Sequence, residues 1–276
     1  MPVDLDALWD FDDPAGSEAR LTDALTRATG DDALVLLTQI ARTRSLRRLT
    51  ADARDTLVPV GAALPSAGPD AAARYWLELG RTWISAVTTP GERTPDALAS
   101  AREAYLRAID VASEAGLDAL AIDAIHMMAF VDTDPADQLA WNARGLEIAR
   151  ASDDPAARRW EASLRNNLGM ALHGAGRDDE ALEQFEAALD LRLAEGDAGR
   201  IAIARWMVAF ALRHLGRTGE AVEIQLRLER ELDAAGTPDP YVFEELEVLY
   251  RALGDEAQAA HYARRLAASR EEAGPG

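Results

Sequence analysis

Four histidines, His126, His173, His214 and His261, are the first residues to weigh for metal or acid–base chemistry. None falls in an HExxH arrangement and no two stand four residues apart, so no helix face offers a paired imidazole to a metal ion. Carboxylates cluster where helices should begin, as at Asp178-Asp179-Glu180, and there they meet the positive end of a helix dipole. The chain has no Cys, which removes thiolate ligands, cysteine nucleophiles and disulfides. All 29 basic residues are Arg, which removes Schiff-base lysine catalysis and the P-loop lysine. GxSxG and GxGxxG are absent, and no Ser stands in a nucleophile context. The chemistry that remains is recognition, with no enzyme activity, metal or cofactor expected.

The residues best suited to recognition are Asn166 and Asn167, which offer neutral donors and acceptors, and aromatic and Arg side chains elsewhere in the chain. Helices must position them. The stretch NNLGMALHGAGRDDEALEQFEAALDLRL, residues 166–193, places small residues at Gly169, Ala181 and Ala188 and larger apolar ones at Leu168, Leu172 and Phe185. Small residues let two antiparallel helices approach, and the large ones fill the space between them. The pattern recurs 40 residues on, with Val208, Leu212 and Ala221 in the places of Leu168, Leu172 and Ala181. Gly176 and Gly216 mark the reversals within each pair. A single pair cannot bury its apolar face alone, so a stack is required.

Reading outward gives six pairs, at about 31–64, 70–115, 117–150, 159–196, 200–236 and 240–271. Residues 1–30 fit no pair and read as a capping helix opened by Asp13-Pro14, with Leu8-Trp9-Asp10-Phe11 anchoring it by aromatic burial. Pro59 is expected to kink or end its helix. The stretch 88–95, TTPGERTP, lengthens one loop, and the tail at 272–276 is expected to fray. With 48% hydrophobic but 6% aromatic residues, the composition is that of a closely packed Ala/Leu helical chain.

This pattern resembles the tetratricopeptide-repeat family over about residues 31–271, most specifically at 166–193. The 40-residue period, against about 34 for the commonest unit, and the Asn166-Asn167-Leu168-Gly169 run also resemble the repeats of kinesin light chain and of bacterial peptide-sensing regulators. The resemblance implies an all-α fold, a right-handed α-solenoid whose first helices line a concave face that binds peptides or partner segments. In such proteins an asparagine on that face can hold the backbone of an extended peptide.

If Leu168 and Leu172 face the sister helix, then Asn166, Asn167, Met170 and His173 turn toward the groove. Equivalent positions elsewhere carry Gln39, Arg42, Glu78, Arg81, His126, Met127, Phe130, Trp206, Met207, Phe210, Arg213, Glu244, Glu245 and Arg251. The binding set is therefore Arg81, His126, Met127, Asn166, Asn167, Met170, Trp206, Phe210, Arg213 and Glu244. Asn would meet backbone amides, Arg would meet anions, and Trp206 and Phe210 would supply apolar area. The competing reading is that the apolar members only pack between adjacent pairs.

The net charge of −19 opposes binding to nucleic acid or to an anionic membrane. The start of the chain is acidic, unlike a signal peptide, and no apolar run approaches the about 18 residues of a membrane span. A cytoplasmic scaffold or sensor that binds a protein or peptide is expected, with self-association left open. The alternative is an enzyme or small-molecule binder with His126, Asn166 and Trp206 at the centre of a cavity.

Overall fold

The computed structural model describes residues 3–272, and among them every regular element is helical. The chain divides into two compact units, 1–160 and 161–276.

The first unit opens with α1 (Pro14–Leu25), followed by the pairs α2 (Asp31–Leu46) and α3 (Thr50–Ala63), α4 (Pro69–Arg81) and α5 (Pro95–Glu114), and α6 (Asp118–Met128) and α7 (Pro135–Ala151). A single turn, α8 (Pro155–Arg158), closes it. The second unit holds three pairs, α9 (Glu161–Gly174) and α10 (Asp178–Glu195), α11 (Ala198–His214) and α12 (Thr218–Ala235), and α13 (Pro240–Ala252) and α14 (Glu256–Glu272). Residues 273–276, most of the expected tail, lie outside the described residues.

Local chemistry sets these bounds. At Asp13-Pro14, Asp134-Pro135, Asp154-Pro155 and Asp239-Pro240 the Asp carboxylate accepts a backbone N–H of the first turn. The proline beside it has no donor to leave unpaired. Several helix-to-helix reversals use a left-handed residue: Gly176, Gly216 and Gly254 inside pairs, and Gly116 between α5 and α6, adopt it with φ between 67° and 75°. At the matching reversal between α2 and α3 the residue is Arg48, with φ of 63°.

Within each unit the first helices of successive pairs lie side by side, α2 with α4 and α4 with α6, then α9 with α11 and α11 with α13. In α4 and in α9 a small residue of the first helix is where the partner helix's aromatic ring enters. Gly80 faces Tyr105, and Gly169 faces Phe185; both rings are fully buried. Ile109, Ile125 and Met128 complete the first core, and Leu228, Phe243 and Leu246 a second one. At the N-terminal end, Leu21 of α1 packs on Leu36 and Ile40 of α2.

The structure refines three local expectations. Pro59 sits within α3, which runs on to Ala63. Pro59 and Asp55, whose carbonyl loses its partner, are both exposed, so water satisfies that carbonyl. Trp9 is half-buried and donates its indole N–H to Gln39 at 3.0 Å, but Phe11 is 62% exposed and only stacks on Trp9 at 4.8 Å. Aromatic burial at the cap is thus Trp9's alone. The loop after α4 includes a 3-10 turn, Pro90–Glu92, capped by Thr89.

Candidate functional site

Each unit brings part of the predicted binding set together. In the first, α2, α4 and α6 place Arg42, Glu78, Arg81 and Asp123 in one buried charge network. Arg81 donates to Glu78 and to Asp123, both at 2.5 Å. Arg42 donates to the same Glu78 oxygen at 3.3 Å. The second Glu78 oxygen is buried and unpaired. Burial pushes the Glu78 carboxyl up to about 8, against the pull of Arg42 and with the help of the Asp123 charge. Burial raises Asp123 too, opposed by Arg42 and His126. His126 is pulled below the ordinary imidazole range by burial, with Asp123 acting the other way.

Beside this network is a cavity of about 220 Å³. Arg42, Ser45, Arg81, Asp123 and His126 form its polar wall. Leu46, Val87, Met127, Phe130 and Trp160 form its apolar one. The His126 ring meets Phe130 edge-on at 5.6 Å and Trp160 at 5.5 Å. Met127 is 5% exposed and belongs to the core as well as to this wall. Arg81, expected to meet a ligand anion, is already held by two carboxylates.

In the second unit the face runs along α9, α11 and α13. Met170 is 43% exposed, and Asn166 and Asn167 are half-buried on the same helix. Trp206 and Phe210 stack at 5.6 Å with 18° between their planes. Arg213 forks onto Glu245 at 2.5 and 3.3 Å. Glu244 is exposed and lies 3.7 Å from Arg270. An apolar pocket of about 260 Å³ opens where Trp206 of α11 meets Leu228 and Leu232 of α12 and Tyr241 and Val242 of α13. Ile203 and Tyr241 at its rim are exposed.

Residues 160–230 match the sequence model of the tetratricopeptide-repeat family. That stretch carries tetratricopeptide repeats. The apo form of RapI, a solved structure, is 14% identical with a TM-score of 0.72, covering 95% of this chain and 74% of its own. A Rap protein complexed with Competence and Sporulation Factor is 13% identical with a TM-score of 0.59, covering 97% of this chain and 76% of its own. At these identities the likeness concerns the fold. No curated protein matches the sequence.

Within the tetratricopeptide repeats the structure also gathers residues that sequence reasoning left apart. His173 and His214 bring their rings to 4.3 Å, with Phe210 at 4.8 Å from the first and 4.6 Å from the second. His173 Nδ1 lies 2.5 Å from Asp178. Burial and the charges of Arg213 and His173 hold His214 below its ordinary range. The signal available was the repeat itself, since Arg213 stands 40 residues after His173 and brings His214 along. Asp123 and Trp160 were missed because the repeats of the first unit are uneven in length, and Ser45 because nothing in the sequence marks its hydroxyl. Among the described residues no group of three or more His, Asp or Glu could hold a metal ion, and no helix is long and apolar enough to cross a membrane.

Proposed function

We propose that this chain is a non-catalytic binding protein that holds a peptide or an extended protein segment on the first helices of its tetratricopeptide repeats. The observation that carries this reading is the apolar pocket at Trp206. It is open, its rim residues Ile203 and Tyr241 are exposed, and it suits one large apolar side chain of a partner. Around it the second unit offers Asn166 for a peptide backbone and the Phe210 face for further apolar contact. The ionic groups nearby are largely compensated, as Arg213 is by Glu245. Apolar anchoring and backbone hydrogen bonds therefore dominate, and charge sets register. A protein of the same fold is complexed with Competence and Sporulation Factor, in keeping with a fold that presents a face to a bound factor.

Selecting randomised peptides on the purified chain tests the reading. Enrichment of sequences sharing a large apolar residue, with at least tenfold weaker binding to Trp206→Ala, is the expected result. Failure to enrich any sequence, or retention of full affinity by a folded Trp206→Ala, overturns it.

A further inference from the structure

The cavity of the first unit has features that a packing defect lacks. Ser45 is 5% exposed, faces the cavity, and its Oγ has no hydrogen-bond partner. A buried hydroxyl without a partner is costly and is normally satisfied. Ser45 stands three residues after Arg42 on α2, so both side chains lie on the same face. Arg42 uses one nitrogen for its 3.3 Å bond to Glu78, and its guanidinium carbon stands 5.6 Å from the Phe11 ring and 5.9 Å from the Trp9 ring. The guanidinium is fixed from behind, and further donors of its fork are left for another acceptor.

The sign of the charge follows from the same wall. Two Arg and one Asp line the cavity. Arg keeps its proton under all ordinary conditions. The carboxyls of Asp123 and of Glu78 behind it are both driven by burial toward their neutral forms. His126 is likewise driven to its neutral form, so it adds a polar edge without charge. Two Arg against one Asp on the lining leave that wall predominantly cationic inside a chain whose net charge is −19. Phe130, Trp160, Met127, Val87 and Leu46 supply the apolar part of the lining. A volume of about 220 Å³ lies below the about 300–1,000 Å³ of drug-sized sites, and suits a molecule of about ten non-hydrogen atoms.

We propose that this cavity is a binding site for a small monocarboxylate with an aromatic or branched apolar body, its carboxylate held by Arg42 and Ser45 and its body against Phe130 and Trp160. One carboxylate oxygen takes the Ser45 hydroxyl proton as a hydrogen bond and the other meets the Arg42 fork, so the orphaned donor is satisfied and the wall's cationic charge is offset. The site lies wholly in the first unit and does not depend on the peptide reading, which concerns the second. The protein becomes one that can report a metabolite as well as hold a partner.

Titration calorimetry of the full chain with phenylacetate, 3-phenylpropionate and isovalerate tests this, with benzylamine and benzyl alcohol as probes of the opposite and of no charge. Saturable binding of at least one acid, absent or tenfold weaker for the amine and the alcohol, is expected. Ser45→Ala, which removes a hydroxyl that has no partner in the fold, should retain the melting temperature and bind that acid about tenfold more weakly. Arg42→Gln should bind more weakly still; if it does not fold, the Ser45→Ala comparison decides. Binding by none of the three acids overturns the proposal. So does tighter binding of benzylamine, or unchanged acid affinity in Ser45→Ala.

Discussion

Gly169 and Phe185 meet so closely that a Cβ on Gly169 would stand 2.5 Å from the Phe185 ring. The small residue on the first helix and the aromatic on the second are one device, repeated in the first unit by Gly80 and Tyr105. Gly169→Leu must force the ring or the helix aside, and should destabilise by about 1–3 kcal/mol or more in urea unfolding. Gly174, in the same helix with nothing near its missing Cβ, is the control. Gly174→Ala should be neutral or stabilise by up to about 1 kcal/mol.

Arg48 occupies a backbone position that glycine takes at Gly116, Gly176, Gly216 and Gly254. A side chain there costs about 1–2 kcal/mol. Its ion pair with Glu92, at 3.3 Å and half-exposed on both sides, is screened by solvent and returns less than that cost. Arg48→Gly should therefore stabilise the chain by a few tenths to about 1 kcal/mol. A destabilised variant in the same urea measurement would show that the Arg48 side chain contributes more than this pair.

Glu78 gives the fold a pH dependence of defined sign. Its folded value near 8 lies above the ordinary 4.5, so between these values the folded chain holds a proton that the unfolded chain releases. Stability from this group is complete below about pH 4.5 and falls as pH rises toward 8. Asp123, also raised by burial, acts in the same direction. Glu78→Gln keeps the shape and has no proton to lose. Melting temperatures between pH 5 and 8.5 should show the variant gaining on the wild type as pH rises. A variant less stable by a constant amount at every pH would mean an ionised Glu78 whose pairs with Arg42 and Arg81 had been broken.

The cap is an energetic element. Leu21 of α1 is fully buried against Leu36 and Ile40 of α2. Removing residues 1–30 exposes that apolar face, and the truncated chain should aggregate or melt at a lower temperature. Unchanged melting of a monomeric truncated chain would contradict this role.

The helix pairs were legible because their signals are local. Asp-Pro starts, left-handed glycines at reversals, and Gly-aromatic contacts each sit within a few residues of the element they define. Pro59 does not end α3, because proline is tolerated within a helix where water can reach the freed carbonyl, here that of the exposed Asp55. Phe11 misled because hydrophobicity alone does not say which of two stacked rings faces the core. The charge network was half legible. Arg42, Glu78 and Arg81 could be placed on a common face from the helical period, but their partner Asp123 lies 42 residues beyond Arg81 across an irregular loop. Ser45 carries no sequence signal, since only the three-dimensional wall shows its hydroxyl without a partner.

The peptide reading places the contact on α9, α11 and α13, and hydrogen–deuterium exchange of the full chain with and without a selected peptide tests it most directly. Slower exchange in residues 198–214 and 240–252 on peptide addition, lost in Trp206→Ala, is the predicted result. Protection confined to residues 1–160, or to the second helices α10, α12 and α14, would contradict it.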